Sequence, residues 1–115
     1  MPDSVCSIVD MGTSGELTST DAGVAYTITS KNFTTGEIGI VNTGATNTVQ
    51  YKIDSYLLST GGKVIVAEVS YTDIAPLGTA VFKIDRLPRA KFIVTVKSKV
   101  ASTPSTVEVE YCLGL

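Results

Sequence analysis

The sequence predicts an all-β fold built as a single antiparallel β-sandwich of seven or eight strands. Apolar and polar residues alternate through most of the chain from residue 49 to residue 111, which is the period of strands with one buried face. Clusters of Gly, Pro, Asn and Ser separate the alternating runs, as turns do in two-sheet sandwiches. Only 17% of the residues are charged, and much of the remainder is Thr and Val, whose branching at Cβ suits a pleated surface.

The first part of the chain predicts three strands, at residues 5–11, 24–29 and 33–42. Residues 12–21 are small and polar and predict a loop. We therefore expect a polar N-terminal arm at 1–21, followed by the sandwich domain at 22–115. Gly39 stands between two isoleucines of one strand face, which predicts a bulge or a close backbone approach.

Five further strands follow, and four of them have inward positions that the alternation selects: Val49, Tyr51 and Ile53; Ala80, Phe82 and Ile84; Phe92, Val94 and Val96; Val107, Val109 and Tyr111. The remaining strand, at 63–70, is nearly all apolar, so the alternation does not choose its inward face. Glu108 and Glu110 lie on the outer side of the last strand, and we expect them to pair across the sheet with Lys91 and Lys97.

Size and charge limit the possible functions. A chain of 115 residues fits one domain that can fold without a metal. The formal net charge of −2 argues against nucleic acid as a partner. No stretch approaches the ~18 apolar residues of a membrane helix, and the first residues lack the basic and apolar regions of a signal peptide. We expect neither a nucleic-acid nor a membrane partner.

The composition also argues against catalysis. The chain has no histidine, which excludes Ser-His-Asp and Cys-His arrangements and the common zinc sites. The acidic residues do not have the spacing of a calcium loop. We expect no enzymatic activity, no metal and no cofactor.

Charge is unevenly distributed along the chain. Six of the nine basic residues fall between residues 83 and 99, whereas residues 1–37 carry five acidic residues and one lysine. These charges are either solvated strand faces and a basic loop, or complementary patches that pair head-to-tail between copies. Two tyrosines near turns, a residue type favoured at interfaces, join the basic residues as interface candidates: Tyr56, Tyr71, Lys83, Arg86, Arg89 and Lys91.

The two cysteines, Cys6 and Cys112, lie near opposite ends of the chain. A disulfide between them would stabilise the fold by about 4–5 kcal/mol in loop-entropy models and requires an oxidising compartment. We expect instead two buried free thiols in neighbouring terminal strands, with the Cys6–Cys112 disulfide as the alternative.

From residue 38 onward the order of features resembles a group of immunoglobulin-like sandwiches that includes bacterial cell-adhesion-related domains. The matching segments are 40–44, 49–53, 61–62, 74–80 and 90–96. The resemblance implies an immunoglobulin-like or jelly-roll-like sandwich and no particular activity, because a fold does not fix a function. In size and layout the chain is also similar to phage and viral capsid decoration (cement) proteins, which are oligomeric and often carry a polar arm.

We therefore predict a non-enzymatic structural protein of a virion, assembled in the host cytoplasm. It would bind other copies of itself and a capsid or other protein lattice through its arm, its strand edges and the basic segment 83–91. The alternative is an extracellular or cell-surface immunoglobulin-like adhesion module, which a Cys6–Cys112 disulfide would favour.

Overall fold

A computed structural model describes residues 10–58, 60 and 65–114, which form eight strands and no helix. The strands are β1 (Asp10–Thr18), β2 (Val24–Thr29), β3 (Thr35–Asn42), β4 (Val49–Tyr56), β5 (Ile65–Ile74), β6 (Thr79–Ile84), β7 (Lys91–Ser98) and β8 (Thr106–Gly114). Sheet A has the strand order β1-β8-β3-β6 and sheet B the order β2-β7-β4-β5. The predicted all-β sandwich is confirmed.

The strand pairing is nested. Strand β1 pairs with β8, β2 with β7, β3 with β6, and β4 with β5, all antiparallel. This is the arrangement of an eight-stranded jelly roll. Immunoglobulin sandwiches instead join strands A, B, E and D in one sheet and C, F and G in the other. The jelly-roll form of the prediction therefore fits the strand order, and the immunoglobulin-like form does not.

The core lies between the sheets and includes most of the inward positions that the alternation predicted, although Ala80, Phe82 and Tyr111 are only partly buried. Eleven of its side chains are exposed by no more than 1%: Ile28, Ile38, Ile40, Val49, Ile53, Phe92, Val94, Val96, Val107, Val109 and Leu113. Burial of each such side chain contributes about 1.5–3 kcal/mol. The ring of Phe92 packs against that of Phe82, with 6.2 Å between the ring centroids.

A buried asparagine fixes one end of the sandwich. The side-chain amide of Asn42 donates hydrogen bonds to the backbone carbonyls of Asn47 (2.8 Å) and Ile74 (3.1 Å). Its Oδ1 accepts from the Gly44 N–H (3.2 Å) and from the Ser105 hydroxyl (2.7 Å). This single side chain, at the end of β3, therefore connects the turn before β4, the last residue of β5 and the residue before β8.

The predicted loop at residues 12–21 is largely a strand, because β1 pairs with β8 along most of this segment. A bulge at Ser14 and Gly15 interrupts the register and hides the alternation from a sequence pattern. The Ser14 hydroxyl accepts a hydrogen bond from the Val109 N–H at 2.9 Å and so replaces a lost ladder bond. Residues 1–9, the rest of the predicted arm, lie outside the described residues.

The predicted pairing of Glu108 and Glu110 with Lys91 and Lys97 is wrong. These residues lie on strands that are consecutive in the chain, but β8 belongs to sheet A and β7 to sheet B. Their side chains alternate with core residues of opposite sheets. The two glutamates and the two lysines therefore lie on opposite outer faces of the sandwich.

Cys112 is disulfide-bonded. The expectation of a free thiol at this position is therefore wrong, and Cys6 lies outside the described residues. In the described part of the chain there is no helix of the length and hydropathy required to span a membrane.

Candidate interaction surfaces

The edges of the two sheets are not equally protected against pairing with another chain. Among the described residues, the edge strands are β1 and β6 in sheet A and β2 and β5 in sheet B. The pairings of β1 and β5 contain register shifts, and both strands carry acidic residues. Bulges and charges are devices that discourage edge-to-edge pairing. In contrast, β2 and β6 pair in continuous register; β2 has no charged residue and β6 has only Lys83.

The two unprotected edges lie on opposite sides of the sandwich. Strand β1 contacts β2, so these two edges lie on one side. Because β6 is the other edge of sheet A, it lies on the far side. A contact between β6 of one copy and β2 of the next uses two different surfaces and can repeat from copy to copy.

The outer face of sheet A, here called the acidic face, carries four glutamates against one lysine: Glu16, Glu37, Glu108, Glu110 and Lys83. Glu16 and Glu108 are direct cross-strand partners. Among the described residues, none of the four carboxylates has a cationic group within ion-pair distance. The face therefore presents uncompensated negative charge to solvent.

A recess of about 500 Å³ lies within the acidic face. Gly39 lies among the residues that line it, and a Cβ atom at this position would have no neighbour within 4 Å among the described residues. Met11 and Val81, which are 70% and 56% exposed, also line it, together with the acidic residues Glu37 and Glu110. The recess thus combines apolar walls with carboxylates.

The prediction of a bulge at Gly39 is wrong, because strand β3 keeps a continuous register with both of its neighbours through this residue. No described residue makes the close backbone approach that was the alternative. Among the described residues, the glycine instead leaves open space on the outer surface of the sheet.

In the part of the chain that the structure describes, the outer face of sheet B, here called the basic face, carries four lysines against two aspartates: Lys52, Lys91, Lys97, Lys99, Asp54 and Asp73. Lys52 Nζ lies 3.4 Å from Asp54 Oδ2, and Lys99 pairs with Asp73. Within the described part of the chain, Lys91 and Lys97 have no carboxylate partner. This face therefore carries the opposite excess of charge.

Tyrosine rings hold three of these lysines. Lys52 Nζ and Lys97 Nζ lie 5.3 Å and 4.4 Å from the centroid of the Tyr71 ring, and Lys91 Nζ lies 4.7 Å from that of Tyr56. Such cation–π contacts contribute about 0.5–1 kcal/mol at exposed sites. The ammonium groups are therefore held on the sheet surface.

The six predicted interface residues do not form one patch. Tyr56, Tyr71 and Lys91 lie on the basic face, Lys83 lies on the acidic face, and Arg86 is exposed in the connection from β6 to β7. Their participation in an interface remains a prediction.

Arg89, the sixth candidate, is directed inward. Its Nε donates a hydrogen bond to the Ser55 hydroxyl (2.8 Å) and lies 3.4 Å from Glu68 Oε2. Only 17% of the Arg89 side chain is exposed. The guanidinium therefore stabilises the end of sheet B and presents little surface to a partner.

Two titratable groups of the described residues have a shifted pKa. Hydrogen bonds from Lys99 and Gln50 lower the pKa of the Asp73 carboxyl on the basic face. At the opening between β1 and β2, burial raises the pKa of Tyr26, with smaller contributions from Tyr111 and Asp10. Neither shift creates a general acid or base near neutral pH. No group of three or more potential metal ligands is found in residues 10–58, 60 and 65–114.

No protein-family model matches the chain, and no curated protein matches it in sequence. Solved structures share its fold. The Yersinia pseudotuberculosis-derived mitogen superposes with a TM-score of 0.60 at 15% identity, over 91% of this chain and 86% of the mitogen chain. A chain of infectious bursal disease virus, Gt strain, gives a TM-score of 0.54 at 11% identity over 89% of this chain.

The chain spans only 31% of that virus chain. A subunit of the Bacillus endospore appendages, described as disulfide-linked pili, gives a TM-score of 0.34 at 17% identity, with both chains fully covered. At these identities the first two similarities show a shared fold. The chain is therefore similar to a bacterial mitogen and to part of a viral protein in its sandwich architecture.

The sequence pattern did not reveal that Met11, Gly39 and Val81 lie together. Alternation places Val81 outward between the inward Ala80 and Phe82, and the structure exposes it. The alternation in β3 contained a usable signal, because Gly39 lies between two core isoleucines and must point outward. Met11 and Val81 become neighbours of this position only through the pairing of distant strands.

Proposed function

We propose that this chain is a non-enzymatic structural subunit, of the capsid decoration type, which assembles with copies of itself and with a protein lattice. Strands β2 and β6 carry the proposal, because each is a regular edge strand with almost no charge. Unpaired N–H and C=O groups on such edges are completed by a strand from another chain.

The position of the two edges supports repeated assembly. They lie on opposite sides of the sandwich, so one copy offers β6 to a neighbour and β2 to another. A heterologous contact of this kind closes into a ring or continues as a filament or lattice. The fold shared with a chain of infectious bursal disease virus is compatible with a structural role in a virion.

Native mass measured over a dilution series, with and without reductant, tests the proposal. We expect a discrete ring or larger assembly that survives reduction. Hydrogen exchange should show protection of alternate amides in β2 and β6 on assembly, because each added strand binds every second backbone group. A monomer at every concentration, or assembly without added protection in either edge strand, contradicts the proposal.

Lysines introduced into the β2 edge test the edge contact, and lysines introduced into a turn are the matched control. Ala25 and Thr27 are exposed in β2, and Ala45 and Thr46 are exposed in a turn. We expect Ala25→Lys with Thr27→Lys to reduce the native mass to that of a monomer. Ala45→Lys with Thr46→Lys adds the same charge and should leave the mass unchanged.

A second candidate is an extracellular or cell-surface binding module. The disulfide at Cys112 favours it, because disulfides persist in oxidising compartments. A stable monomer whose cysteines remain bonded in the purified protein would support this function over the first.

A further inference from the structure

We propose that copies of this chain also stack face to face, with the acidic face of one copy on the basic face of the next. This inference rests on the proposed self-assembly and names a second contact within it. The occupant of each face is a second copy of the same chain.

The first observation is the separation of charge. Four glutamates and one lysine lie on the outer face of sheet A, whereas four lysines and two aspartates lie on the outer face of sheet B. Glu108 and Glu110 cannot reach Lys91 and Lys97 within one molecule because the core lies between them. A head-to-tail stack brings the two sets together, and complementary potentials fix the orientation of such a contact.

The second observation is the state of the lysines. Lys91 and Lys97 have no carboxylate partner among the described residues, and the rings of Tyr56 and Tyr71 hold their ammonium groups near the surface. A group that is already ordered loses less conformational entropy on binding. The ammonium groups of Lys91 and Lys97 are therefore already positioned to bind carboxylates.

The third observation is the recess on the acidic face. Lysine buries its aliphatic stem against apolar surface while its ammonium group remains with polar partners. The recess offers Met11 and Val81 for the stem and the carboxylates of Glu37 and Glu110 for the ammonium group, over open space at Gly39. It therefore has the chemistry to receive a lysine side chain from the basic face of a neighbour.

The dimensions of the sandwich permit this contact. Its Cα atoms extend over 40 × 38 × 19 Å, so the two outer faces are its broad surfaces. A stable interface buries about 800 Å² on each partner, which a face of this breadth can supply. Stacking uses surfaces other than the β2 and β6 edges, so both contacts can form in one assembly.

Charge reversal with rescue provides the test. Glu108→Lys with Glu110→Lys makes the acidic face positive, and Lys91→Glu with Lys97→Glu makes the basic face negative. We expect each double variant to weaken the association of full-length protein by about tenfold or more. Mixing the two variants, or combining all four changes in one chain, restores opposite charges across the contact and should restore association.

Added charge outside both faces is the control. Ala45→Glu with Thr46→Glu changes two exposed residues in the turn between β3 and β4 and should leave association unchanged. The wild-type assembly should also weaken as salt screens the charges. Thermal unfolding of each variant at concentrations below assembly confirms that the fold is intact.

Gly39→Val tests the recess separately. A Cβ-branched side chain fills the open space at this position and favours the strand conformation. We expect an intact fold and association weakened by about tenfold.

The results separate this inference from the proposed function. If the wild type assembles, the lysines in β2 prevent assembly and no charge reversal on either face weakens it, the stacking contact alone is overturned. A wild type that is monomeric throughout overturns both. If the reversed faces fail to rescue each other but the basic face of the wild type binds poly-glutamate, its occupant is an acidic partner other than a second copy, and the inference is overturned.

Discussion

Gly36 provides a sharp test of how sheet A is held together. It lies in β3, a central strand of the sheet, opposite Leu113 of β8. Its φ is +150°, which side chains of L residues rarely adopt. A Cβ atom at Gly36 would lie 2.1 Å from the backbone oxygen of Cys112 and 3.0 Å from Leu113 Cα. Gly36→Ala therefore forces the backbones of β3 and β8 apart.

The cost follows from this separation. The distance from the alanine methyl to the Cys112 oxygen must increase from 2.1 Å to about 3.4 Å, which breaks the ladder around the pairs Thr35–Gly114 and Glu37–Cys112. Two or three lost hydrogen bonds cost about 1 kcal/mol each. The strained φ costs a further 1–3 kcal/mol, roughly. We expect Gly36→Ala to lower the free energy of unfolding by about 3–6 kcal/mol.

Gly39→Ala is the matched control in the same strand. No atom of the described residues lies within 4 Å of its Cβ position, and alanine is favoured over glycine in a strand interior by about 0.5–1 kcal/mol. We therefore expect no loss of stability in this variant. Denaturant unfolding, followed by circular dichroism at concentrations below assembly, measures both changes. Equal stability of the two variants, or a loss below about 1 kcal/mol for Gly36→Ala, would refute the packing argument.

Four further predictions concern single residues. Asn42→Ala leaves buried backbone groups without partners and should cost about 2–4 kcal/mol in denaturant unfolding, and a neutral result would show that water replaces the amide. Phe92→Ala should cost about 3–5 kcal/mol, whereas Val81→Ala on the exposed face should change stability by no more than about 0.5 kcal/mol. Because the pKa of Tyr26 is raised in the fold, its contribution to stability is fully present below the ordinary tyrosine pKa of 10.0 and is lost as the pH rises through the folded pKa. Unfolding measured at a series of alkaline pH values should therefore show a smaller loss of stability for Tyr26→Phe than for the wild type. Glu108→Gln removes the like-charge pair with Glu16 and should stabilise the monomer by about 0.2–1 kcal/mol while it weakens assembly in the native-mass assay. A variant that is both more stable as a monomer and more strongly assembled would contradict the stacking contact.

The sequence predicts strands well where the two faces of a strand differ. In β4 and β7, inward valine, isoleucine and phenylalanine residues alternate with lysine, threonine or glutamine, and the structure buries the inward set. The prediction failed in β1, because the bulge at Ser14 and Gly15 places two successive small residues out of period. A single-sequence pattern does not distinguish such a strand from a loop.

A local sequence pattern does not predict which of the two sheets a strand belongs to. Strands β7 and β8 follow each other in the chain, so a hairpin was the simplest interpretation of Lys91 and Lys97 with Glu108 and Glu110. In this jelly roll every pair of consecutive strands except β4 and β5 crosses from one sheet to the other, and β1 and β2 pair with β8 and β7, which are distant in sequence. The prediction that these four charged side chains point outward from their strands is therefore right. The prediction that they share one face of the molecule is wrong, because they lie on opposite outer faces.

The layout of charge on the acidic face is difficult to explain by folding alone. Glu16 and Glu108 are direct cross-strand partners, and like charges in this position destabilise a sheet. Lys83 lies opposite Glu37 in register but outside ion-pair distance, so it offsets little of the repulsion. On the basic face, Lys91 and Lys97 are likewise left without carboxylates in the described part of the chain. On the basic face a monomer gains only the cation–π contacts of Lys91 and Lys97, whereas a stack in which the faces meet gives these lysines carboxylate partners and relieves the repulsion on the acidic face.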